Sequence, residues 1–125
     1  NGHVEIVEIL LDTGADIEAD VITWSGGKPL HWASEHEPGT VQLLLNRGAD
    51  VNSRNVLAGS QFEGVTPLIM NATQKNDCAE VTELLIQAGA DLNATDAQDK
   101  TALVHAEEIA LKRIPEVLRR HGAAD

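Results

Sequence analysis

A chain of 125 residues with a formal net charge of −11 and only nine Lys plus Arg is a poor match for nucleic acid, whose affinity for proteins comes largely from basic side chains neutralising phosphates. The length is that of one domain, no apolar run approaches the ~18 residues of a membrane span, and no signal-peptide pattern opens the chain, so neither a membrane nor a secreted setting is expected. One cysteine, Cys78, excludes an internal disulfide and fits a reducing, intracellular compartment, most simply the cytoplasm.

The first predicted element runs from about Gly2 to Thr13, a helix carrying Val4, Ile6, Val7 and Leu10. It ends in the words VEILLDTGADIEA, which return as VQLLLNRGADVNS and VTELLIQAGADLNA, with VLRRHGAAD as a degraded fourth copy. Gly14, Gly48, Gly89 and Gly122 mark the same point in each, separated by 34, 41 and 33 residues. Next comes a loop, Ala19 to Lys28, carrying Ile22 and Trp24. A short helix follows at KPLHWAS, Lys28 to Ser34, and His36-Glu37-Pro38-Gly39 reads as the turn into a longer one. The loop from Ser53 to Val65, with Leu57 and Phe62, is the longest. Beyond it Thr66-Pro67 is a helix start, the hydroxyl able to cap free amides and the proline preset for a first turn. Asp77-Cys78-Ala79-Glu80 reads as a capping box opening a second helix, whose Val81, Leu84, Leu85 and Ala88 form one buried stripe before Gly89 ends it. TALVHAE at Thr101 repeats the short-helix word, and Pro115 is expected to start the last helix.

These words, a Thr-Pro-Leu-His start and a Leu-Leu-x-x-Gly-Ala-Asp-x-Asn close, resemble the ankyrin repeat over the whole chain. The resemblance implies an all-α solenoid of stacked antiparallel helix pairs joined by hairpin-like loops. One domain, 1–125, would comprise a partial repeat over 1–20 and repeats over about 21–53, 54–94 and 95–125. No unit can bury its apolar stripe alone, and stacked neighbours bury each other's. The first helix of the first repeat is absent, so either further repeats precede Asn1 or an end of the stack carrying Val4, Ile6, Val7 and Leu10 is incompletely covered; weak self-association through that end is expected, or a poorly protected N-terminal helix. Lys28 stands where the family has threonine, so the second repeat should be the less well capped.

The resemblance also places His31 on the family histidine, implying a buried ring hydrogen-bonded to the backbone of adjoining loops. As a zinc motif the stretch fails: His31 and His36 are five apart and so face different sides of a helix. Neither His3 nor His121 has a nucleophile and carboxylate at a recognisable spacing, and Cys78 reads as a passive thiol. No cofactor, metal or catalytic residue is expected.

Ankyrin arrays bind through a concave face and their loop tips, which by position implies Trp32, Met70 and His105 as a row after the histidine. Val65 and Lys100 precede the threonine, and Glu35, Thr73 and Glu108 lie four beyond the histidine. Trp32 and Met70 side by side on an outward row suggest a partner contact, and Trp24 and Phe62 on the long loops would extend it. The bland alternative is that Trp32 folds back under a loop. The leading expectation is a non-catalytic protein-interaction module for a basic, apolar-bearing segment. An enzyme or small-molecule binder with a pocket over Trp24, Trp32 and His31 is the alternative.

Overall fold

The computed structural model describes residues 2–18, 27–35, 37–55, 59 and 62–123. Among the described residues seven helices follow one another: α1 (Gly2–Asp12), α2 (Pro29–Ala33), α3 (Pro38–Asn46), α4 (Pro67–Ala72), α5 (Ala79–Gln87), α6 (Ala102–Glu108) and α7 (Arg113–Arg120). Among the described residues there is no strand. The short helices α2, α4 and α6 pack in sequence as one layer, and the longer α1, α3, α5 and α7 as a second. Within a repeat α2 lies on α3, α4 on α5 and α6 on α7. The result is an all-α solenoid of helix pairs. None of the helices is long and apolar enough to cross a membrane.

The repeating glycines explain where the long helices stop. Gly14, Gly48, Gly89 and Gly122 have φ of 97°, 93°, 98° and 97°, a left-handed turn that glycine adopts without a Cβ penalty. Counting back from them gives the stripe each helix buries. Four residues before, Leu44, Leu85 and Leu118 are buried; eight before, Thr40, Val81 and Ile114 are. The core is continuous from Leu30 and Leu44 through Leu68, Ile69, Met70 and Leu85 to Leu103 and Leu118.

Caps follow the expected pattern in part. Thr66 and Thr101 accept hydrogen bonds from the Ile69 and Val104 amides at 3.3 Å; Lys28 makes no such side-chain cap, and at α2 the bond runs the other way, the Lys28 amide donating to His31 Nδ1 at 3.1 Å. The expected capping box at Asp77 is not formed. Cys78 is the N-cap of α5 and makes no side-chain cap, and Asp77 sits at φ 50° with its carboxylate turned away to the next repeat. Its oxygens accept from the Lys112, Arg113 and Ile114 amides at 3.1, 2.7 and 2.8 Å. Those are the leading amides of α7, and the next residue, Pro115, has no N–H to satisfy. Pro115 therefore stands inside the first turn of a helix that begins at Arg113, not at its start.

Candidate interaction surface

His31 is a fully bonded polar residue of the first-helix layer. Its ring is fully buried; Nδ1 accepts from the Lys28 amide at 3.1 Å, which leaves the proton on Nε2 to donate to the Val65 carbonyl at 2.7 Å. Both nitrogens are committed to backbone, one in its own repeat and one in the next. The ring is a staple, as the family resemblance implies, and has no nitrogen left for proton transfer or a metal.

The row expected to face outward is only partly there. Met70 and Val65 are fully buried, with 0% and 1% of their surface exposed, and the reading of either as a contact residue is corrected. The cause is the middle position of α4, which has α2 on one side and α6 on the other. The Met70 sulfur also accepts weak hydrogen bonds from the Thr73 hydroxyl and the Gln74 amide at 3.9 and 3.7 Å. Trp32 is half-buried: its indole N–H is inside, unpaired among the described residues, and would lie 3.5 Å from a Cβ built on Gly27. The indole thus leans back on the chain entering its own helix. Phe62 is half-buried and packs against the core, so it holds down its loop. Trp24, Ile22, Leu57 and His36 lie outside the described residues.

The C-terminal repeat brings charged groups together. His105 Nε2 donates to Asp96 Oδ2 at 2.6 Å, and Asp96 Oδ1 accepts from the Gln98 and Lys100 amides at 2.9 and 3.1 Å, closing the hairpin before α6. Burial alone would raise the Asp96 pKa, but the bonds from His105 and the two amides outweigh it and hold the carboxyl below its ordinary value. Lys100 reaches Glu108 at 3.0 Å along the same layer. Glu35 and Thr73 are half-exposed just beyond the C-terminal ends of α2 and α4, and Glu108 is exposed at the end of α6.

Sequence reasoning missed several buried polar residues, Asp96 and Asn71 among them. Asp96 was legible only as an Asx-turn residue ahead of Thr101. Asn71 donates to the Ser34 and Cys78 carbonyls at 3.2 Å each and accepts from the Thr82 hydroxyl, tying two repeats together inside the core. No local pattern announces it. Among the described residues no group of three His, Cys, Asp or Glu side chains could hold a metal.

A stack of short and long helices, each long helix closed by a left-handed glycine, with buried His31 and Asn71 joining the second and third repeats and Asp77 the third and fourth, defines a helical repeat solenoid. The chain belongs to the ankyrin repeat family: the model for ankyrin repeats in three copies matches residues 1–55, and the single ankyrin-repeat model matches residues 63–97. Ankyrin repeat and SOCS box protein 6 of Homo sapiens is 35% identical over 107 residues, covering 84% of this chain and 24% of that protein. The E3 ubiquitin-protein ligase KEG of Arabidopsis thaliana is 31% identical over 103 residues, 82% of this chain and 6% of that protein. Protein fem-1 homolog A of Homo sapiens is 40% identical over 73 residues, 58% of this chain and 10% of that protein. The chain thus spans about a quarter or less of the curated relatives it matches. Ankyrin repeats are in general protein–protein interaction modules.

Proposed function

We propose that this domain is a non-catalytic interaction module that takes a basic, apolar-bearing segment of a partner protein along its first-helix layer. The observation that supports it best is the contrast within that layer. His31, Val65 and Met70 are locked in the core, while Trp32, Glu35, Thr73, Lys100, His105 and Glu108 keep accessible surface on the same rigid base. A net charge of −11 favours a basic partner. Trp32 would be the apolar anchor, with Glu35 and Glu108 as its acidic rim. The alternative, a reactive pocket over Trp24, Trp32 and His31, loses its titratable member, because both His31 nitrogens already bond backbone.

The test uses a partner recovered with the domain from its native cells. Trp32→Ala should weaken the complex by about 2 kcal/mol or more with helix content unchanged, as interface aromatics do. Glu35→Gln with Glu108→Gln should slow association and flatten its salt dependence. Glu80→Gln, exposed on α5, is the control. A partner indifferent to Trp32 and sensitive to the long helices would place the contact on the opposite face.

A further inference from the structure

His105 sits on the first-helix layer with one ring nitrogen engaged and the other left over. Its Nε2 donates to Asp96 Oδ2 at 2.6 Å, and the Asp96 side chain is only 3% exposed. Asp96 Oδ1 already accepts from the Gln98 and Lys100 amides, so the carboxylate is fixed in the hairpin and holds the ring with it. Despite burial, these three bonds keep the Asp96 pKa below its ordinary value, and an ionised carboxyl accepts only, which sets the proton on Nε2. In the neutral ring Nδ1 then carries a bare lone pair. Among the described residues nothing bonds to it, and 16% of the side chain is exposed. His31, two repeats earlier, spends both nitrogens on backbone. The demand of a buried carboxylate for a donor accounts for His105 Nε2 and leaves Nδ1 unexplained. A carboxylate behind an imidazole fixes its tautomer and raises the basicity of the far nitrogen. With no group of three metal-ligating side chains among the described residues, that nitrogen is left as a hydrogen-bond acceptor.

We propose that His105 Nδ1 is the seat of an arginine side chain from the partner protein. This rests on the interaction-module reading above and narrows its basic segment to one residue type and one place. Glu108 lies one turn along the same face of α6, and its carboxylate stays exposed beyond its bond to Lys100 at 3.0 Å. Asp96, Glu108 and Lys100 together leave net negative charge beside the ring, so a cationic donor is drawn there in preference to a neutral one. The planar fork of a guanidinium gives one N–H to Nδ1 and another to Glu108, two acceptors at a set separation that the compact ammonium of a lysine suits less well. Asp96 is the positioning residue. It does not touch the arginine and acts by holding the ring proton on Nε2.

The probes are acetyl-arginine methylamide, its lysine and norleucine analogues, and tetramethylammonium, which carries charge but no N–H. Each is titrated into the full 125-residue chain at about pH 8, where an ordinary imidazole is neutral, and the ring-nitrogen NMR shifts of His105 are read. In the free protein those shifts should show the proton on Nε2 alone. The arginine probe should move Nδ1 saturably in the millimolar range, with the lysine probe weaker and the other two without effect. Asp96→Asn should transfer the proton to Nδ1, because the new amide donates to Nε2, and should weaken the arginine probe about tenfold or more. The Gln98 and Lys100 amide signals report whether the hairpin stays closed. Should it open, His105→Phe, which leaves the Asp96 carboxylate on those two amides, removes the acceptor and should weaken the probe as much. No partner enters these titrations, so the two proposals fail separately: a complex indifferent to Trp32 strikes the wider surface and leaves the seat standing. A free-state proton on Nδ1 or on both nitrogens, an equal response to tetramethylammonium, tighter binding of the lysine probe, or arginine binding that survives both variants overturns the seat.

Discussion

Asp77 shows what one side chain does in a repeat stack. Its carboxylate belongs to the third repeat but satisfies the start of a helix in the fourth, where the positive end of the helix dipole and three free amides face it. Burial by itself would raise its pKa, yet the amides of Arg113, Ile114 and Lys112, with the Arg113 charge, hold it below the ordinary carboxylate value. A carboxyl whose pKa is depressed on folding stabilises the fold above its unfolded pKa of about 4 and loses that contribution as pH falls through the folded value. Asp77→Asn should therefore cost about 1–2 kcal/mol at neutral pH, the range for a charge-assisted cap, and the gap to the parent should close between about pH 5 and pH 2. Urea titrations across that range check it, and a gap that does not change with pH would mean the charge is irrelevant. Asp96 adds to the acid sensitivity with the same sign. The sequence showed Asp77 next to a helix start and suggested the wrong helix, because nothing within ten residues reveals a bond to amides 36 residues away. His31 was readable because its bond partners are fixed by the repeat itself.

Between elements, the hairpin tips matter as much as the helices. Gly64 has φ 77°, and a Cβ there would come within 2.9 Å of the Ala97 amide nitrogen, in the next hairpin. The same junction carries the Ala97 amide's bond to the Glu63 carbonyl and Arg54's bonds to the Gly64 and Thr95 carbonyls. Gly64→Ala meets both a backbone conformation unsuited to a side chain and a backbone clash, so it should destabilise the domain by roughly 2–4 kcal/mol. Thermal melts would show it, and a loss under about 0.5 kcal/mol would mean that the two hairpins can separate freely. Asn52 ties the same two hairpins nearer the long helices: its side chain donates to the Gly89 carbonyl and accepts from the Asp91 amide. Helix positions were legible from period and glycine placement, since both are local. Which residues of α4 face outward was not, because Met70 is covered by neighbours on two sides, and a family position says nothing of how deep a given row lies.

Across the molecule, stability should be uneven from end to end. Each repeat contacts only its neighbours, so a repeat held on both sides is worth more than one held on one side. Leu85→Ala, fully buried mid-stack, should cost about 2–5 kcal/mol, whereas Leu10→Ala at the equivalent place on α1 should cost under about 1 kcal/mol. Equal losses in urea denaturation would show that the α1 face is covered in solution.

Asp77 also bears on how such an array can lengthen. The residue at its place in the last repeat is Ala110, also in the left-handed region at φ 59° but with only a methyl group to offer. A tandem copy of the third repeat would carry its own carboxylate forward to start the helix behind it. A tandem copy of the last would follow an alanine, and its long helix would begin with bare amides. Duplication from the middle of this stack yields a repeat that is ready to fold, and duplication from its end yields one that must first acquire an acid.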